Sequence, residues 1–382
     1  MKITEMKEEI IQTRRYLHGI PEPAFKEYKT SKYIEEKLTD LGYTVEKVAK
    51  TGVLAYREGT SNKRPICFRA DMDALDGEEK TGLEFASSKG YMHACGHDGH
   101  MAMLLGFAKY LTGIKEINRS IVLLFQPGEE NAGGADVVLK DQNFKKYNIE
   151  SIFGFHLQPD IEEGKVGSKP GAFMAQTIEY NITVEGKGCH GAQPQNGVDA
   201  ILVASKLVDS YQSIISRSID PLESAVLTIG KIQGGTVRNL IAEKVMLEGT
   251  LRTFDMEVYH LAKNRMVQIN RGLEEMYGVK ITTDFIDFCP PVVNDEELFN
   301  QFMNVVDPED FIEMKRMTIS EDFGFYQREI PGLFLMLGIR NEKKGFIYPL
   351  HSSQFNFNEE VLLKGIELYT KIAKLFNVIK KA

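Results

Sequence analysis

ICFRADMDAL (66–75) and IVLLFQPGEE (121–130) decide the fold: each is an apolar run that ends at carboxylates. A short apolar run bounded by turn residues reads as a strand covered on both faces. Val53–Tyr56, Ile152–Phe155 and Leu333–Leu337 have the same character. Apolar residues at helical spacing fall between them, over 5–18, 28–41, Met101–Leu111 and Ala135–Lys140, with a closing helix at Glu359–Phe376. Buried strands alternating with helices predict an α/β domain built on a mostly parallel sheet.

The pattern changes after residue 177. TIEYNITVE (177–185) alternates as a strand with one wet face, followed by a helix (Val198–Arg217), strands Ala225–Ile232 and Glu243–Thr253, a helix (Val258–Tyr277) and a strand (Lys280–Asp287). The order β-α-β-β-α-β predicts a ferredoxin-like α+β domain, ended by Pro290–Pro291. The expected organisation is one domain from 1–177 and 291–382, interrupted by an inserted domain at 178–290.

Bulk properties narrow the function. A chain of 382 residues is long for one core. A formal net charge of −8, with no basic cluster, argues against nucleic-acid binding, since no field replaces the phosphate counterions. The charged amphipathic N-terminus lacks the apolar centre of a secretory signal, and no run of about 18 apolar residues suggests a membrane span. Four scattered cysteines, Cys67, Cys95, Cys189 and Cys289, make no disulfide framework, which fits a reducing cytoplasm.

The chemistry gathers after the apolar strands. Asp71 and Asp73 follow ICFRA, Glu129 and Glu130 follow IVLLFQPG, His156 ends SIFGFH, and His351 comes shortly after LFLMLG. Open α/β sheets place their sites at the carboxyl ends of strands, so these residues can converge. HACGHDGH (93–100) adds three histidines and a cysteine, and six of the eight histidines lie there or at His156, His190 and His351. Singly, such a cysteine or histidine is an ordinary buried group, and adjacent glutamates are an ordinary wet loop. Together they point to a metal site, because buried carboxylates and imidazoles are costly unless paired or bound to a cation. Two other readings fail. GKGCHG (186–191) matches a dinucleotide-binding glycine pattern, but AQPQNG (192–197) follows and opens no helix. Cys95 could be a nucleophile, but His93 and His97 beside it favour metal ligation.

At RADMDAL (69–75), MHACGHDGH (92–100), FQPGEE (125–130), FH (155–156), HGAQP (190–194), LEGTLRTF (247–254), SEDFGFY (320–326) and PLHSSQF (349–355), the chain resembles a known group. The group comprises metal-dependent amidohydrolases, including hippurate hydrolases, N-acetyl-diaminopimelate deacetylases and plant auxin-conjugate hydrolases. It is a branch of the aminoacylase and carboxypeptidase G-like peptidases, and the likeness runs nearly end to end.

The resemblance implies two divalent ions per subunit, zinc or manganese and in some cases cobalt or nickel, held between the two domains, and a homodimer or dimer-based oligomer formed through the inserted domain. It implies Cys95 as a bridging thiolate, with His97, Glu130, His156 and His351 as the other ligands. Glu129 would be the general base, and residues of an extended backbone would turn it away from Glu130. Asp73 would orient a metal ligand, while Asp71 stands where the wider family has a ligand histidine. His190 would stabilise the oxyanion, and Asn239 and Arg252 match positions near the substrate. Gln195 departs from the group, which commonly has a second histidine there. The implied reaction is cleavage of the amide of a small N-acetyl or aroyl amino acid, with a specific N-acetyl-diaminopimelate deacetylase as the alternative. A homologue that binds without catalysis is disfavoured, since every metal and base position is filled.

Overall fold

The computed structural model describes residues 2–87 and 90–380. Its residues form two compact units: Met1–Phe173 with Val293–Lys315 and Asp322–Ala382, and Met174–Val292 with Arg316–Glu321. The short segment 316–321 belongs to the second unit although it follows the 178–290 stretch by some distance in sequence.

The first unit is built on an eight-stranded sheet. Its order is Thr44–Val48, Gly52–Arg57, Ile121–Gln126, Ile66–Asp71, Ser151–Glu162, Gly332–Arg340, Val166–Ser168 and Phe311–Glu313. The four long central strands run parallel, and antiparallel pairings appear toward the two sides. The centre is dry. Every residue of Ile66–Asp71 and Ile121–Gln126 is buried, and each large apolar side chain so placed contributes on the order of 1.5–3 kcal/mol. Helices His97–Thr112 and Val361–Leu375 pack in the same core, where Phe68 meets Phe107 and Tyr369 with ring centroids 5.1 and 5.2 Å apart.

Three strands of this sheet, Thr44–Val48, Val166–Ser168 and Phe311–Glu313, escape the sequence reading. They are short and lie toward the sheet's sides, so they lack the long apolar run that marks the centre. The strand carrying His156 also continues to Glu162 rather than ending there. Its partner Ile66–Asp71 pairs with it only through Gly154, so His156 is left paired on one side alone, with Met336 of Gly332–Arg340.

The second unit has a four-stranded antiparallel sheet, in the order Ala225–Gly234, Lys244–Thr253, Gln176–Glu185, Lys280–Cys289. This is the ferredoxin-like order. Helices Ala200–Arg217 and Met256–Tyr277 share its core, with Tyr180, Leu207, Tyr211, Leu247 and Met266 buried together. Asp199 and Asp255 cap the two helices through their side chains. No helix among the described residues is long and apolar enough to cross a membrane.

Candidate metal centre

The strand ends of the first unit converge. Asp71 closes Ile66–Asp71 and pairs in register with Gln126, the last residue of Ile121–Gln126. Beyond Gln126 the chain turns at Gly128, whose φ of +68° suits glycine, and Glu129–Ala132 forms one helical turn. This corrects the expected extended backbone. Successive side chains here diverge by roughly 100° rather than 180°. The cause is Asp73, whose Oδ1 accepts the Glu129 amide and Oδ2 the Glu130 amide, both at 3.0 Å.

The helix expected from Met101 begins four residues earlier, at His97, because Gly96 at φ +88° allows the sharp entry. His97 and His100 therefore stand in its first turn. His351 has a left-handed backbone, φ +65°, with its amide bonded to the Ala94 carbonyl at 2.9 Å and its side chain about half exposed. Such a conformation in a non-glycine residue is costly and clusters at functional sites.

Ligand-type atoms crowd together. Three groups, Cys95–His97–His156, Cys95–Glu130–His351 and His97–Glu129–Glu130, each have their ligand atoms within 4.8 Å of one another. Cys95 belongs to two of them. Its Sγ lies 3.3 Å from His156 Nε2, and His351 Nε2 lies 3.6 Å from Glu130 Oε1.

The donor atoms suit a metal. His97 Nδ1 is 2.8 Å from the Asp73 carbonyl, and His156 Nδ1 is 2.8 Å from the Leu157 carbonyl. A carbonyl only accepts, so each Nδ1 carries its proton and each Nε2 is the nitrogen left to hold a cation, the usual support of a ligating histidine. Among the described residues, His97 Nε2 and Glu130 Oε1 are buried with no hydrogen-bond partner. Orphaned acceptors pointing at a shared space are what a cation would satisfy.

Asp71 and His100 lie behind these atoms. Asp71 accepts from His100 Nδ1 at 2.6 Å and from Arg69 Nη1 at 2.8 Å, while His97 Nε2 is 3.7 Å away. His100 Nε2 in turn accepts the Leu157 amide at 2.9 Å. Both His100 nitrogens are thus engaged, and the ring braces Leu157, the residue whose carbonyl fixes His156. Arg69 also reaches Gln126 and Asp322, and Gln126 reaches Asp322 and Tyr326, so the strand ends are locked from beneath.

Electrostatics follow from burial and proximity. Burial alone would raise the Asp71 carboxyl, but the charges of His97 and Arg69 and the hydrogen bond from His100 hold it well below the usual range. Burial pulls His97 down, yet Asp71, Asp73 and Glu130 together raise it to about 10, so a cation bound at Nε2 would displace a proton held there. Burial, reinforced by the charges of Glu130, Glu129 and Asp71, pushes the Cys95 thiol up. His93, four residues before His97 and outside all three groups, is instead lowered to about 4 by burial and stays neutral.

Asp98, next to His97, anchors the helix start. It takes Arg14 Nε and His18 Nδ1, each at 2.8 Å, and His18 Nε2 meets Glu79 at 3.0 Å. Burial lowers His18, but its hydrogen bonds to Asp98 and Glu79 outweigh that and raise it. A histidine raised on folding stabilises fully below its unfolded value, near 6.5, and loses that contribution as pH climbs through the native value. Thermal unfolding of the wild type between about pH 6 and pH 9 should therefore show a downward component that His18→Gln lacks. Parallel curves for the two proteins would contradict this ion pair's role.

The other expected site residues lie in the second unit. His190 sits in a two-residue strand paired with Leu240–Ile241, and its Nδ1 accepts the Ala192 amide at 3.1 Å. The Gly191 amide bonds to the Asn239 carbonyl at 2.8 Å, so His190 and Asn239 are brought side by side. Arg252 stands apart on the Lys244–Thr253 strand, half-buried, and bonds to Thr177 and to Ser320.

Sequence reasoning gave no role to the braces His100, Arg69, Gln126 and Asp322. His100 was open to discovery, since it lies three residues from His97 on one helical face. Arg69, Gln126 and Asp322 lie inside the quoted motifs, but the contacts that make them braces join residues distant in the chain.

The model of peptidase family M20/M25/M40 matches residues 67–375. An N-acetyldiaminopimelate deacetylase of Brevibacillus brevis is 41% identical over 368 residues, covering 94% of this chain and 96% of that protein. A solved Bacillus subtilis structure, described as a dinuclear metal binding peptidase of the M20 family, shares 30% identity at a TM-score of 0.85, with 98% of this chain and all of that one covered. A methicillin resistant Staphylococcus aureus protein, provisionally described as an aminohydrolase, shares 32% identity at a TM-score of 0.92 and covers 99% of this chain with 98% of its own.

Proposed function

The chain belongs to peptidase family M20/M25/M40 and is a metal-dependent amide hydrolase, and we propose that it removes the acyl group from a small N-acylated amino acid. The observation that carries the reading is the overlap of three groups of ligand-type atoms through Cys95, His97 and Glu130, as a site for two neighbouring ions would require. In this reading Cys95, His97, Glu130, His156 and His351 hold two divalent ions. Bound there, the ions supply Lewis acidity for the scissile carbonyl and lower the pKa of water. A thiolate favours zinc, cobalt or nickel, while the carboxylate admits manganese, and a reduced Cys95 fits a cytoplasmic enzyme.

The protein's own groups do the rest. Glu129 takes the proton of the attacking water and returns it to the leaving nitrogen. Asp73 aims Glu129 and Glu130 through their amides, and Asp71 fixes the imidazole of His100. His190 serves as the oxyanion donor. Asn239 and Arg252 serve substrate binding, and the 178–290 domain serves to pair two chains. The 41% identity to a named deacetylase favours the narrower reading, an N-acetyldiaminopimelate deacetylase.

A panel of N-acetyl and N-benzoyl amino acids, with N-acetyldiaminopimelate included, tests the substrate. Hydrolysis of at least one member is expected, with N-acetyldiaminopimelate the fastest if the narrower reading holds. No hydrolysis of any member by metal-loaded protein would contradict the assignment.

A further inference from the structure

Glu27 is wholly buried at the end of the loop that joins the two N-terminal helices, Lys7–His18 and Tyr28–Asp40. Its Oε1 accepts the Gly128 amide at 3.0 Å and the Phe25 amide at 2.9 Å, and its Oε2 accepts the Thr51 hydroxyl at 2.5 Å. Gly128 opens the turn that bears Glu129 and Glu130. Three successive amides, 128 to 130, therefore end on two carboxylates, Glu27 and Asp73, from remote parts of the chain.

The same loop touches this region twice more. The Phe25 ring covers Gly128 so closely that a β-carbon there would lie 2.9 Å from it, and the Glu22 carbonyl accepts the Ala74 amide next to Asp73 at 2.9 Å. Phe25 itself has φ +58°, a strained backbone held by these contacts. We propose that Glu27 is a positioning residue for the catalytic turn, fixing the Gly128 amide so that Asp73 can set the two glutamates that follow. The inference rests on the reading of Glu129 as base and Glu130 as ligand.

Burial raises the Glu27 carboxyl to about 7, against the Thr51 hydroxyl and backbone amides that lower it. Either protonation state keeps an acceptor oxygen for Gly128, and so does glutamine. Alanine leaves a buried amide unpaired, and aspartate keeps the charge but withdraws the acceptor by one methylene.

Hydrogen exchange of the peptide spanning 121–133, read by mass spectrometry on metal-loaded protein beside kcat and KM, tests this. In Glu27→Ala the amides at 128–130 should exchange at least about tenfold faster, the scale of one unpaired buried donor. On that scale kcat should fall about 10- to 100-fold with KM within about threefold, and Glu27→Gln should stay near wild type in both. Glu27→Asp should shift in the same direction as alanine, and serves if the alanine variant does not fold. Unchanged exchange in the alanine or aspartate variant overturns the proposal whatever the rates do. A glutamine variant as impaired as alanine, or a change confined to KM, overturns it too. If exchange shifts as expected while the wild type hydrolyses no N-acyl amino acid, the functional reading fails and the positioning role stands.

Discussion

Glu129→Gln should bind metal like the wild type and lose kcat by about 10²- to 10⁴-fold, the scale of a general acid–base residue. The turn explains why the two properties separate. The Glu129 amide is held by Asp73, a contact that survives an isosteric change of side chain. Glutamine has no basic oxygen, so the proton of the attacking water has no acceptor and the leaving nitrogen no donor. Glu130→Gln should do the reverse and chiefly weaken metal binding. Glu130 Oε1 is buried without a partner among the described residues, beside His97 Nε2 at 3.8 Å and His351 Nε2 at 3.6 Å. Metal content by atomic spectroscopy and single-substrate kinetics on the two variants check the assignment. Reversed phenotypes would mean that base and ligand are exchanged.

Much of this site is legible in the sequence because strand ends are legible. ICFRA and IVLLFQ are apolar enough to read as central strands, and the parallel pairing Asp71↔Gln126 then brings their ends together. The ferredoxin-like unit is legible for a related reason, since its wet-faced strands alternate where the central strands do not. What stays hidden depends on contacts between distant residues. The helical turn at Glu129 is set by the Asp73 carboxylate, 56 positions away, and overrides the extended conformation suggested by the preceding strand. Glu27 looks like an ordinary charged residue before a helix, yet it is wholly buried and serves an amide 101 positions on. Asp322 sits in a recognisable motif, but only the fold shows that it braces Arg69 and Gln126. The edge strands and the placement of 316–321 in the second unit are likewise consequences of packing, without a periodic pattern to announce them.

Replacing Cys95 carries the largest expected effect, because the residue belongs to two of the three groups and supplies their only thiol. Its thiol is buried, and burial together with the charges of Glu130, Glu129 and Asp71 disfavours ionisation. A cation is the partner that reverses this balance, so thiolate formation and metal binding are one event. Cys95→Ala removes the shared ligand and should lower metal affinity by more than about 100-fold, since even residues that merely support ligands cost 10- to 100-fold. Activity should disappear with the metal. A thiol acting as nucleophile would lose activity and keep its metal. The deciding measurement is bound metal per chain, taken with the deacylation rate, in wild type and Cys95→Ala after identical reconstitution with Mn²⁺ or Zn²⁺ and gel filtration. The expected result is two ions and turnover in the wild type, with both lost from the variant. Full metal content in Cys95→Ala, or turnover by wild-type protein stripped of metal, would contradict the account.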